Sequence, residues 1–364
     1  MLKDALSLAL NPKSNSMKKL LTYLLSLFFF LAFASFGYAQ DDEFNMDDFA
    51  AADDTEIKNF CNNKVINLSP TKLVSVSYDF VGGFDLDSES GDALESDYSA
   101  VSPVNLNHGL RLDANFPIIS KSSIIVNATV SHWESNYNFG SVAESHGLAT
   151  RLGNTPLRST RVGAIVFKPL NEKNFMLFQF DAALNGAHDF DQFQPNFGKL
   201  KYSAAVLYGW KFNDNTNLAF GATRTYRGGR VLHIPVMLYN KTFNEKWGLE
   251  LLLPARGAVR HNFSTKSLLM FGYELEGHSY FLEGTPDNGL GFPTDDLELR
   301  KSEIRTRISW DKSLSDFIWL NLQAGLRVNY RFTLDEDAGA SDAIINNNIG
   351  MPLYFRVGFS LVSP

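Results

Sequence analysis

His278 and Ser279 stand side by side in "EGHSYFLEG". A His next to a Ser is raw material for nucleophilic catalysis, in which the imidazole takes the hydroxyl proton. The flanking residues are not G-x-S-x-G. The stretch also alternates with period two, so the two side chains point to opposite faces and cannot readily bond each other. His132, beside Trp133, reads as an interfacial residue rather than a base, and His108, His188, His233 and His261 have no metal-ligand spacing. The glycines of "TRTYRGGRV" lack the Lys and following helix of a phosphate loop and read as a tight hairpin turn. No catalytic, metal or cofactor residue is expected, and the chain is not read as an enzyme.

A second set of polar residues is more informative. Glu303, Arg305 and Arg307 recur at every second position of "SEIRTRISW". Asn321, Gln323, Arg327, Asn329 and Arg331 do so in "LNLQAGLRVNYRF", and Glu274 and Glu276 in "SLLMFGYELEGHSYF". Period two puts such residues on one face of a strand. If that face lines a pore, rows of Arg and Glu set its selectivity. If it lines a filled interior, the charges neutralise one another. Both readings stay open.

The elements that must carry these residues are strands throughout. From Lys72 onward, apolar and polar residues alternate in "KLVSVSYDF", "LNHGLRLDANF" and "LKYSAAVLYGWKF", and period 3.6 is hard to find. Short polar turns fall near 117–122, 169–174, 212–217, 243–246, 263–266 and 311–316. Longer loops fall near 83–105, 134–157, 187–198, 284–296 and 334–350. Short turns at one end and long loops at the other are the habit of a transmembrane barrel. Reading "WGLELLLPARGAVRHNF" as two short strands hinged at Pro254–Gly257 gives 14 strands, with 12 as the alternative.

Alternation alone does not say which face is inside, because a soluble sandwich alternates too. Three features favour the membrane. "MKKLLTYLLSLFFFLAFASFGYAQ" from Met17 has the basic start, apolar middle and small-residue end of a cleaved secretory signal. Many strands run to bilayer-crossing length. Trp210, Phe212, Trp310, Trp319, Tyr330 and Phe332 gather near strand ends as interfacial girdles. Leu320, Leu322, Leu326 and Val328 then face lipid, and Asn321, Gln323, Arg327, Asn329 and Arg331, with the Glu and Arg residues of the two preceding strands, face a lumen.

The second half, "KWGLELLLPARGAVRHNFSTKSLLMFGYELEGHSYFL" with "LELRKSEIRTRISWDKS" and "WLNLQAGLRVNYRF", resembles a family of Gram-negative outer-membrane β-barrel proteins of unknown function. The resemblance implies fold and location and brings no catalytic residues.

The chain is therefore expected to be all-β, a single antiparallel transmembrane β-barrel over 72–364 with short periplasmic turns and longer extracellular loops. Residues 1–16 read as an upstream extension, 17–39 as a signal cleaved near Ala39, and 40–71 as an acidic, mostly disordered periplasmic segment. Residues 41–56 hold eight acidic residues. Cys61, the single cysteine, can form no internal disulfide and reads as a solvated thiol. The acidic stretch 85–99 reads as a solvated loop. The formal charge is −7, and removing residues 1–39 takes four Lys and one Asp and leaves −10. That balance excludes a general nucleic-acid binder. The expected partners are outer-membrane lipid and lipopolysaccharide, the barrel-assembly machinery during biogenesis, and a small-molecule solute crossing a polar lumen. The alternatives are a closed structural or surface-binding barrel and, more weakly, a lipid-modifying enzyme.

Overall fold

The structure, a computed structural model, describes Cys61 and residues 64–94, 97–187, 197–226, 231–283, 296–336 and 342–362. The upstream extension, the signal, the acidic run 41–56, His188, the whole "RGGR" turn, and parts of the loops expected near 187–198, 284–296 and 334–350 lie outside the described residues.

The strands are β1 (Lys72–Val81), β2 (Phe84–Ser90), β3 (Ser99–Lys121), β4 (Ile124–Phe139), β5 (Leu157–Pro169), β6 (Asn174–Ala187), β7 (Lys201–Asn213) and β8 (Thr216–Thr225). They continue with β9 (Leu232–Thr242), β10 (Trp247–Leu253), β11 (Arg256–Ser264), β12 (Ser267–Glu283), β13 (Asp296–Ser313), β14 (Ile318–Glu336), β15 (Ala343–Asn348) and β16 (Leu353–Val362). Each of β3 to β14 pairs antiparallel with its sequence neighbour. Gly82 and Gly83 interrupt one wall strand, so β1 and β2 both lie along β3. Likewise β15 and β16 both lie along β14, separated by a turn at Gly350, whose φ of +60° suits glycine. The ring closes where β1 meets β16 and β2 meets β15. The sixteen segments therefore make a closed antiparallel barrel of 14 wall strands. The count depends on β10 and β11 being separate strands that turn at Pro254 and Ala255, as the sequence suggests.

The outer face is apolar. Phe180, Val206, Phe220, Phe271, Ile308 and Phe359 all project from it, and Phe271 is 64% exposed. A continuous belt of this kind on a closed sheet is a lipid-facing surface, and it places the barrel in the outer membrane. Trp319 is not part of that belt. It is buried with Leu268, Met270 and Val362, because it shares the inward parity of Asn321 and Gln323. Phe332 is also inside. A bulge between Ser302/Glu303 of β13 and the facing residues of β14 inserts Tyr330, and above it the inward parity switches from odd to even.

The strands differ greatly in height. β3 has 23 residues and β14 has 19, whereas β10 has 7 and β11 has 9. About 9–11 residues suffice to cross a bilayer, so the tall strands project beyond it at the long-loop end. Part of the stretch expected as the loop 83–105 is thus strand, and Asp85 to Ser90 belong to β2. Above the short strands β7–β11, β6 and β12 touch directly. Gly186 faces Phe281, and Asn185 Nδ2 donates to the Ser279 carbonyl at 3.2 Å. The upper interior is therefore narrower than the lower one.

That upper interior is filled. The β4–β5 connection folds into it and forms α1 (Gly147–Asn154), which buries Leu148, Ala149 and Leu152. They join inward residues of the tall strands, including Leu86, Tyr137, Leu297 and Phe332. His146, just before α1, is fully buried and holds the connection down. Its Nδ1 lies 2.8 Å from Ser102 Oγ and its Nε2 lies 2.9 Å from Ser88 Oγ. Ser88 donates onward to Asn347 Oδ1, so Nε2 carries the proton to Ser88 and Nδ1 accepts from Ser102.

Candidate functional site

Below the apolar fill lies the charged layer. Asp79 of β1 accepts from Arg111 Nε at 2.9 Å, Arg305 Nη1 at 3.1 Å and Arg356 Nη2 at 3.0 Å. Glu276 takes Arg111 at 2.6 Å and Arg305 Nη2 at 2.7 Å. Glu303 takes Arg305 Nε and Arg327 Nη2, each at 2.6 Å. Arg327 Nη1 continues to Asn107 Oδ1. The side chains of Arg305 and Arg327 are each 2% exposed. Buried charges persist only when paired in this way. The network joins β1, β3, β12, β13, β14 and β16, so it braces the seam where the first and last wall strands meet.

The other residues singled out from the sequence fall around this layer. Arg307 pairs with Glu274 at 3.3 Å. Gln323 donates to the Tyr354 hydroxyl at 2.6 Å, and Asn321 donates to Asp311 at 2.7 Å. Asn329 leaves its Nδ2 buried without a partner. Arg331 lies apart from them. The bulge puts it on the face opposite Phe332, next to Thr333 and Asp335. The His278 ring lies 4.6 Å from Trp133, and the Ser279 hydroxyl is buried without a partner, so the two form no acid–base pair. Among the described residues no cluster of His, Cys, Asp or Glu is placed to hold a metal ion.

The sequence reading missed two features, and both sit in the arc of β5–β11. The first is a chamber of about 270 Å³. Its lower wall is apolar, made by Leu177, Leu207, Val236, Leu238 and Leu252. Its upper wall is polar, with Arg161, Gln179, Asp181, Lys201 and Thr223. The apolar wall belongs to a buried cluster with Phe167, Phe175 and Ala219.

The second feature is what seals that cluster from the short-turn end. Cys61 is buried in it, with its N–H on the Asn171 carbonyl at 3.0 Å and its thiol 3.4 Å from the Asn174 carbonyl. Burial raises the thiol pKa, opposed by the charge of Lys211. The chain then crosses the ends of the short strands. Ile66 N–H donates to the Asp214 carbonyl, and Thr242 Oγ1 donates to the Ile66 carbonyl at 2.6 Å. Asn262 Nδ2 donates to the Asn67 carbonyl. Ser69 bonds Glu250 through both its N–H and its hydroxyl. Glu250 also takes Arg260, whose side chain is fully buried. Cys61 and residues 64–69 thus form a stopper under the chamber, and Cys61 is not a solvated thiol. The signal available in the sequence was the return of apolar residues, Val65, Ile66 and Leu68, straight after the acidic run.

No curated protein matches the chain. Solved structures that do match include the toluene transporter TodX of Pseudomonas putida, at 10% identity and a TM-score of 0.32, covering 81% of this chain and 91% of that one. An outer membrane channel of Pseudomonas putida F1 matches at 10% and 0.35, covering 80% and 96%. A FadL homologue of Pseudomonas aeruginosa matches at 8% and 0.36, covering 79% and 90%. The family described as "Domain of unknown function (DUF6268)" matches residues 105–360, which run from the first third of β3 almost to the end of β16. The chain, a closed 14-stranded outer-membrane barrel, belongs to that family.

Proposed function

We propose that this barrel moves a small solute across the outer membrane, and that at rest it is held shut by its own N-terminal segment. The route is the chamber in the β5–β11 arc. The observation that carries this reading is that the chamber's floor and the stopper share one cluster. Leu207 and Val236 line the cavity above while Cys61 packs against the same group below. Lifting residues 61–69 opens that floor toward the short-turn end. The seam side of the lumen is a poor route, because α1 and the braced arginines fill it. A broad, uniformly polar lumen is thus not the reading that fits best. Outer-membrane lipid and lipopolysaccharide surround the apolar belt, and the barrel-assembly machinery is the partner in biogenesis.

Swelling of liposomes that carry the refolded protein tests the proposal. The full mature chain should admit small solutes slowly, and a chain lacking residues 40–70 should admit them at least tenfold faster. A folded truncated barrel with unchanged permeability would favour the second reading, a closed binding barrel whose long loops make the contacts.

A further inference from the structure

Arg161 is a cation on the lumen face of the barrel. It lies on β5 with the inward parity of buried Phe167, while Val162 beside it is exposed to lipid. Its register partners are Ser131 and Ala183, which cannot neutralise it. Among the described residues Arg161 makes no ion pair or hydrogen bond. Lys201 and Asp181, which line the same chamber, each have a partner, and the carboxylates of Asp113, Glu274 and Glu276 line a second cavity that Arg161 shares. Lys201 is given to Glu298 at 3.0 Å, and Asp181 accepts from Gln179 at 2.7 Å. A guanidinium cannot shed its proton to relieve burial, and its planar fork fits a carboxylate or phosphate with two parallel bonds. Arg161 lines the chamber whose opposite wall is apolar.

We infer that the chamber binds a small amphipathic anion. Its carboxylate or phosphate sits on Arg161, and its short apolar body lies against Leu177, Leu207, Val236 and Leu238. The inference rests on the chamber being the solute's route and names the class of solute. At roughly 30 Å³ per water the chamber holds about nine waters, which is room for a six-carbon chain with its head group.

Calorimetric titration of the full mature barrel in nanodiscs tests this with four probes: hexanoate, hexyl phosphate, hexanol and inorganic phosphate. At least one of the two amphipathic anions should saturate one site per barrel, and the tighter of the two identifies the head group. Hexanol and inorganic phosphate should each bind at least tenfold more weakly. Arg161→Gln should weaken the anion at least tenfold, and Arg161→Lys should restore part of that loss. Both variants share the lipid partitioning of the wild type, so the difference reads the site. Hexanol binding as tightly as hexanoate, no anion binding to a folded barrel, or an unchanged Arg161→Gln would each overturn the inference. The first two outcomes need no variant and stand even if Arg161→Gln does not fold. Anion binding without solute flux would remove the transport reading and leave the site. Flux indifferent to Arg161 would do the reverse.

Discussion

At the scale of single residues, partnering decides what each charge does. Asp79 serves three arginines from three different strands. Asp79→Asn keeps the shape and removes the charge, which takes the ion-pair partner from Arg356 and leaves Arg111 and Arg305 to their glutamates alone. Breaking a buried pair of this sort costs about 3–5 kcal/mol, so the variant should unfold at clearly lower denaturant, read from the heat-modifiable gel shift. His146 makes a pH-dependent contribution. Burial lowers its pKa from the usual 6.5, against a smaller opposing pull from Asp87. The folded state then binds fewer protons than the unfolded one, so this stability is present above the ordinary imidazole value and is lost as pH falls through the lowered one. Melting between about pH 7.5 and pH 5 should show a larger drop for the wild type than for His146→Gln, whose amide can keep both serine contacts. Equal drops would mean that His146 does not carry the effect. The alternation in "SEIRTRISW" identified Glu303, Arg305 and Arg307 as one face. It could not identify Asp79, Arg111 and Arg356 as their partners, because those come from strands more than 45 residues away in sequence order and meet only when the ring closes.

At the scale of elements, period-two patterning made the strands and most short turns legible, including the hinge between β10 and β11. Three departures were not legible, each for a physical reason. The β14 bulge adds a single residue, which leaves the local alternation looking intact while reversing every side chain above it. The helix α1 is only 8 residues long, and its inward face is decided by the cavity it fills. The stopper has no regular secondary structure, and its side-chain bonds go to strand ends up to 195 residues away. Leu148→Ala and Leu152→Ala should each cost about 2–5 kcal/mol, as buried Leu truncations do, measured by urea denaturation in lipid. Cys61 gives a direct readout of the stopper. Its thiol should resist maleimide in the folded wild type. It should label rapidly once Val65→Asp and Asn262→Ala together loosen the segment. Fast labelling of the wild type would mean that the segment is not seated.

At the scale of the whole molecule, the fold separates two tasks. The seam side is a braced and filled post. The arc of short strands surrounds a chamber with an apolar floor and a polar roof, and Cys61 with residues 64–69 closes it from below. The central claim is that this closure is what keeps the barrel silent. Single-channel recording in a planar bilayer tests it most directly, comparing the full mature chain with the same chain lacking residues 40–70. A barrel shut by this segment gives a largely silent full chain and discrete conductance steps from the truncated one, with selectivity toward anions that weakens in Arg161→Gln. A truncated barrel that is folded, heat-modifiable and silent would contradict it.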